Sequence, residues 1–121
     1  MGHTLKIGAL GEELAAEYLL KAGFTIRDRN WSDGRREIDI VAERNGVLHI
    51  VEVKCRKRAG LTLPEEAMTV RKFGLLQQAA ANYIETHGLD LDVQFDLVAV
   101  DHDGGGGHRL RYFPDVMSPR W

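Results

Sequence analysis

Four charged residues on two neighbouring β-rich runs carry the clearest chemical signal in the chain. Glu37 and Asp39 fall in the run Arg36 to Arg44, Glu52 and Lys54 in the run Val47 to Cys55, and Asn45-Gly46 stands between them. Asn-Gly between such runs predicts a two-residue hairpin turn, because both turn positions need positive φ. That turn places Asp39 directly opposite Glu52 and Glu37 directly opposite Lys54, with all four on one face. Two carboxylates directly opposite each other destabilise a sheet. A divalent cation between them removes the repulsion, and Mg²⁺ typically uses one or two carboxylates plus substrate phosphate. Lys54, about 6.6 Å along the strand from Glu52, adds a cation that can hold a phosphate or a metal-activated water. These are the parts of metal-assisted phosphodiester hydrolysis. The plain alternative is a solvated charged strand face, and a longer turn with a bulge would shift the pairing.

A basic run adjoins these acids. Lys54, Arg56, Lys57 and Arg58 put four cations within five residues, and Arg71 and Lys72 follow at the start of a predicted helix. Contacts of this kind supply most non-specific nucleic-acid affinity; a solvated loop is the alternative. The overall balance of 16 Lys+Arg against 18 Asp+Glu conceals this placement. Lys54 to Lys72 holds six Lys/Arg and two Asp/Glu, net +4, whereas Glu85 to Asp103 holds six Asp/Glu and no Lys/Arg, net −6. A histone-like polycation is excluded, but local, oriented, salt-sensitive binding of nucleic acid is not.

The elements that must position these groups are legible in outline. The 121 residues suit one domain, 1–121. No apolar run approaches the ~18 residues of a membrane span, and Met1 to Lys6 has no apolar signal core. A single cysteine, Cys55, makes no internal disulfide. We expect no membrane partner and a reducing, cytoplasmic location. A first helix is predicted from about Ile7 to Ala22, with Leu10, Leu14, Tyr18 and Ala22 on its apolar face, Ala15 and Leu19 beside them, and Glu12 and Glu13 in its first turn. A strand follows over Phe24 to Trp31, then a Ser32-Asp33-Gly34 turn and the hairpin. The hairpin's second face, Ile38, Ile40 and Ala42 against Val53, Val51 and His49, is expected to be core. Pro64-Glu65-Glu66 suits a helical turn. Thr69 is expected to cap a helix from Val70 to about His87 that ends at Gly88, with Phe73, Leu76, Ala80 and Tyr83 or Ile84 on its buried side. Strands are expected at Val93 to Val100 and Arg109 to Phe113, joined by a loop through Gly104 to Gly107. The order α-β-β-β-α-β predicts an α/β fold, a mixed sheet with helices on both faces. Cys55 and Trp31 are read as packing residues, and Tyr18 likewise. His102 and His108 are read as loop surface.

Gly11-Glu12 opening an apolar helix, Arg29-Asn30-Trp31, Glu37-Ile38-Asp39, Val51 to Arg56, Ala67, Lys72 and Phe95-Asp96 together resemble the YraN-like family of bacterial proteins. That family resembles the PD-(D/E)XK nucleases, restriction-endonuclease-like proteins with an αβββαβ core, nearest to archaeal Holliday-junction resolvases. The resemblance implies that Asp39 and Glu52 ligate a metal, Mg²⁺ or Mn²⁺. It implies that Lys54 orients or activates water and that Glu12 joins the site directly or through water. Glu37 receives no secure role beyond proximity. Arg56, Lys57, Arg58 and Lys72 are the nucleic-acid-binding candidates. Two departures stand out: Arg36 where the family usually has Gly, and Gln94 where it usually has Arg. The implied activity is a metal-dependent endonuclease on DNA, structured or branched. The alternatives are a catalytically inactive nucleic-acid-binding module and a protein-interaction scaffold. Resolvase-like relatives act as dimers, which leaves monomer and homodimer both open.

Overall fold

The computed structural model describes residues 7–57, 68–103 and 105–117. In chain order the elements are α1 (Ile7–Lys21), β1 (Thr25–Ser32), β2 (Glu37–Arg44), β3 (Val47–Lys57), α2 (Val70–His87), β4 (Asp92–His102) and β5 (His108–Met117). The five strands form one sheet in the order β1-β2-β3-β4-β5. All neighbours are antiparallel except β3 and β4, which are parallel. A parallel pair needs a crossover, and α2 supplies it. The expected αβββαβ core is present. Pro64-Glu65-Glu66, Arg58 and Ala67 lie outside the described residues.

Local chemistry explains several boundaries. Asn45 and Gly46 have φ of 53° and 76°, the two positive values a tight hairpin turn demands. Thr69 caps α2 by accepting the Lys72 backbone N–H at 3.2 Å. Gly88 closes α2 in the left-handed conformation at φ 62°.

Each face of the sheet carries its own core. Ala15, Ala16, Leu19 and Phe24 pack with Ile40, Ala42, Val51, Val98 and Val100 on the α1 side. Phe73, Leu76, Ala80 and Tyr83 of α2 pack with Ile38, Val41, Leu48, Ile50 and Phe95 on the other. Three expectations are corrected here. The buried stripe of α1 is centred on Ala15 and Leu19, expected at the side of the apolar face, with Leu14 and Ala22 partly buried against the same core, whereas Leu10 and Tyr18 are 42% and 38% exposed. Small residues let α1 lie close to the sheet, and a Cβ on Gly11 would come within 2.9 Å of Cys55. Glu12 and Glu13 consequently fall in the second turn of α1, and the first turn contains no acid. The face expected for Ile38, Ile40 and Ala42 holds only for the last two, because Ile38 packs on the α2 side. The change falls at Asp39.

Candidate functional site

The hairpin keeps its expected register from Arg44↔Val47 to Ile40↔Val51, and there the pairing ends. Asp39 and Glu52 are therefore the first residues beyond the ladder rather than a rung of it, and Glu37 is not paired with Lys54. In a two-residue hairpin the next hydrogen-bonded rung would give the Val53 N–H to the carbonyl of Ile38. Instead Asp39 Oδ2 accepts that N–H at 2.8 Å. A partly buried backbone donor is satisfied by a side chain, and the strands are free to part.

A cleft of about 260 Å³ opens where they part. Arg35, Arg36, Glu37 and Asp39 line it from the β1–β2 turn and the start of β2, Glu52 from β3, and Lys72, Leu75 and Leu76 from α2. Burial first, then the charge of Glu52, pushes the Asp39 carboxyl up to about 7. The Val53 N–H opposes that rise, while Glu12 and Glu37 add smaller repulsions of the same sign as Glu52. Asp39 thus feels all three neighbouring acids named from the sequence. Lys72 Nζ sits 2.6 Å from Glu52 Oε2, with the glutamate side chain 13% exposed.

The other sequence-derived candidates are placed less centrally. Glu12 is half-buried on α1 and does not line the cleft. Lys54 follows Glu52 on the same strand face, half-buried beside Ala99 of β4, and is not among the cleft-lining residues. Arg56 is half-buried opposite Asp101. Lys57 ends β3, and only its backbone is described.

Sequence reading did not assign Arg35 and Arg36 to the cleft wall. Their turn is held by Asp33, whose Oδ1 accepts the Arg35 and Arg36 backbone N–H groups at 3.0 and 2.8 Å. Asp33 Oδ2 pairs with the Arg36 guanidinium at 3.1 Å and accepts from Asn82 of α2 at 2.6 Å. These bonds, led by the Arg36 N–H, hold the Asp33 carboxyl far below its usual range. The signal available in the sequence was a turn motif followed at once by two arginines ahead of Glu37. The other departure, Gln94, acts elsewhere: its amide donates to buried Asp96 at 2.9 Å.

The residues present fit a hard divalent cation. Asp39 keeps one oxygen beyond its bond to Val53, Glu52 stands close enough to raise it, and both offer oxygen donors. Among the described residues no three His, Cys, Asp or Glu side chains form a ready-made ligand cluster. Two carboxylates completed by water or substrate oxygen are a set that Mg²⁺ commonly accepts.

An αβββαβ core with acids where β2 and β3 part defines a restriction-endonuclease-like fold. Consistent with that, the chain resembles the structure of Archaeoglobus fulgidus Hjc, a Holliday junction resolvase from an archaeal hyperthermophile. The TM-score is 0.51 at 23% identity, covering 85% of this chain and 72% of that one. The chain belongs to the uncharacterised protein family UPF0102, whose model matches residues 11–100. UPF0102 proteins similar to it include one from Porphyromonas gingivalis, 40% identical over 92% of this chain and 86% of the relative. Another, from Bacteroides fragilis, is 43% identical over 97% and 95%. A third, from Rhodococcus jostii, is 41% identical over 97% and 100%. No helix among the described residues is long and apolar enough to cross a membrane.

Proposed function

We propose that the protein is a DNA-binding endonuclease of restriction-endonuclease-like fold that hydrolyses phosphodiester bonds with Mg²⁺ or Mn²⁺. The observation that carries the reading is the Asp39–Glu52 pair at the parting of β2 and β3, in a cleft that also holds Arg35, Arg36 and Lys72. Asp39 and Glu52 would hold the cation, with Glu12 completing the site directly or through water. A bound divalent cation supplies Lewis acidity at the phosphodiester and lowers the pKa of water. Lys54 orients the attacking water, and Arg56, Lys57, Arg58 and Lys72 draw the DNA backbone towards the acids. The fold's likeness to a junction resolvase supports branched DNA as the substrate, and a homodimer would present the two sites that paired cuts require. The protein is cytoplasmic in this reading. Incubation with branched, nicked, single-stranded and duplex DNA plus Mg²⁺ or Mn²⁺ tests it. Cleavage is expected, and cleavage that survives both Asp39→Ala and Glu52→Ala would reject the assignment.

One observation favours a second reading, a nucleic-acid-binding module without catalysis: Glu52 already has a cationic partner in Lys72 at 2.6 Å. Calorimetric titration with Mn²⁺ separates the two. Binding that disappears in Asp39→Ala supports the nuclease, and no heat with salt-sensitive DNA binding supports the module.

A further inference from the structure

The cleft brings three cations and three acids together. Lys72 enters it from α2, Arg35 and Arg36 from the β1–β2 turn, Glu37 and Asp39 from the start of β2 and Glu52 from β3. The turn is built to stay where it is. Asp33 accepts two of its backbone N–H groups, and Asn82 ties Asp33 to α2 at 2.6 Å. Arg35 is exposed, and its side chain has no partner among the described residues. Arg36 gives its Nη2 to Asp33, and its Nε, which has no acceptor among the described residues, is buried. A pinned turn that offers the unengaged Arg35 guanidinium beside an open cleft is short of an acceptor. The acceptor that suits guanidinium geometry is a carboxylate or a phosphate. Neither guanidinium is bonded to Glu37, Asp39 or Glu52 among the described residues.

We infer that the Arg35–Arg36 turn is a phosphate-binding element that grips the DNA backbone one phosphate away from the group lying over Asp39 and Glu52. This rests on the reading of the cleft as a DNA site. A strand lying in the cleft meets Arg35, Arg36 and Lys72 as well as the acids, with half-exposed Leu75 offering an apolar surface to a sugar. Its phosphates are drawn to the cations, which leaves a neighbouring one facing the carboxylates. The contact reads no base, so it is the same for every sequence.

Fluorescence anisotropy of labelled duplex and four-way-junction DNA, in EDTA and across about 0.05 to 0.3 M salt, tests the inference. Each phosphate contact contributes about 0.9 to the slope of log K against log salt. Arg35→Gln should lower that slope by about 0.9 and weaken binding roughly eightfold at 0.1 M salt. Arg35→Gln/Arg36→Gln should lower it by about 1.8. Arg109→Gln, on exposed edge strand β5, should leave it unchanged. Because Arg36 also braces its own turn, Arg35→Gln is the decisive variant, and its melting temperature reports whether the fold is intact. A wild-type slope that Arg35→Gln does not change, or changes no more than Arg109→Gln does, overturns the inference and leaves the DNA reading standing. A wild-type protein with no salt-sensitive DNA binding overturns both.

Discussion

Replacing Asp39 by asparagine should make the metal-free protein more stable at neutral pH and above. In the folded chain the Asp39 carboxyl is pushed up to about 7 by burial and by Glu52, against an ordinary value of 3.8. Between those two values the folded state keeps a proton that the unfolded state has lost, so stability falls as pH rises through the window. The raised pKa thus confers no penalty below about pH 4 and its full penalty above about pH 7. About three pKa units at 1.36 kcal/mol each set a ceiling of about 4 kcal/mol. An effective dielectric nearer 20 than 4 brings the expectation to about 2–4 kcal/mol. Asparagine keeps an oxygen for the Val53 N–H, bonded at 2.8 Å, while removing the charge that Glu52, Glu12 and Glu37 oppose. Urea unfolding in EDTA at about pH 5, 7 and 8 measures the effect. The difference between Asp39→Asn and the parent cancels every other titrating group to first order. It should grow in favour of the variant across that range. Adding Mn²⁺ should stabilise the parent alone, as mass action requires of a ligand that binds only the folded state. A variant less stable than the parent at pH 8, or a difference that does not change with pH, would show that Asp39 is not a strained acid, and the metal argument would lose its electrostatic basis.

Three further outcomes follow from single contacts. Lys72→Met removes the cation at 2.6 Å from Glu52, whose side chain is only 13% exposed against 38% for the lysine, so the loss should fall between the exposed and buried limits, at about 1–3 kcal/mol by melting. Mn²⁺ affinity by calorimetry should rise, since the ammonium competes for that carboxylate; a fall would mean that Lys72 organises Glu52 instead. Gly11→Ala should lower stability by about 1–3 kcal/mol, because its Cβ would stand 2.9 Å from Cys55 and α1 would have to lift; an unchanged melting temperature would contradict the close packing. Asp96→Leu should cost about 3–5 kcal/mol by leaving His49 and three other donors without their acceptor. The Asp96 carboxyl is raised by burial but held below its usual range by the bonds from His49, Asp115, Tyr112 and Gln94. Its contribution is therefore present above about pH 4 and lost on acidification, and an acid unfolding profile unmoved by Asp96→Leu would refute this.

What the sequence revealed was what short-range chemistry determines. The Asn45-Gly46 turn, the Thr69 cap and the Gly88 stop each depend on a few adjacent residues, and the structure places them as expected. The hairpin register followed from the turn alone, as far as Ile40↔Val51. Its end did not, because the β-rich pattern continues unbroken through Glu37 and Asp39 on one strand and Glu52 and Lys54 on the other. The buried stripe of α1 includes Ala15 and Leu19 as expected but not Leu10 and Tyr18, which weigh more in a periodicity, because close packing on the sheet favours the small residues. Arg35 and Arg36 could not be assigned to the site because what anchors their turn, Asn82, is 49 residues away from Asp33. The Lys72–Glu52 pair is hidden for the same reason, since α2 must first cross over the sheet before the two can meet.

Asp39 and Asp96 show what separates a carboxylate that holds a fold together from one that waits for a ligand. Both sit within the same sheet, on β2 and β4, and both are driven towards the neutral form by burial. Asp96 is fully buried, yet it receives His49 at 2.6 Å, the Tyr112 hydroxyl at 2.7 Å and the Gln94 amide and Asp115 N–H at 2.9 Å, so its charge is compensated within the chain. Asp39 has the Val53 N–H and three acidic neighbours. Burial is therefore not the property that marks the site. The property is a shortage of positive charge around a buried carboxylate, created where the β2–β3 ladder stops and a backbone donor must be satisfied by a side chain. Lys72 relieves Glu52 but not Asp39, and the repulsion that remains is what a divalent cation would remove.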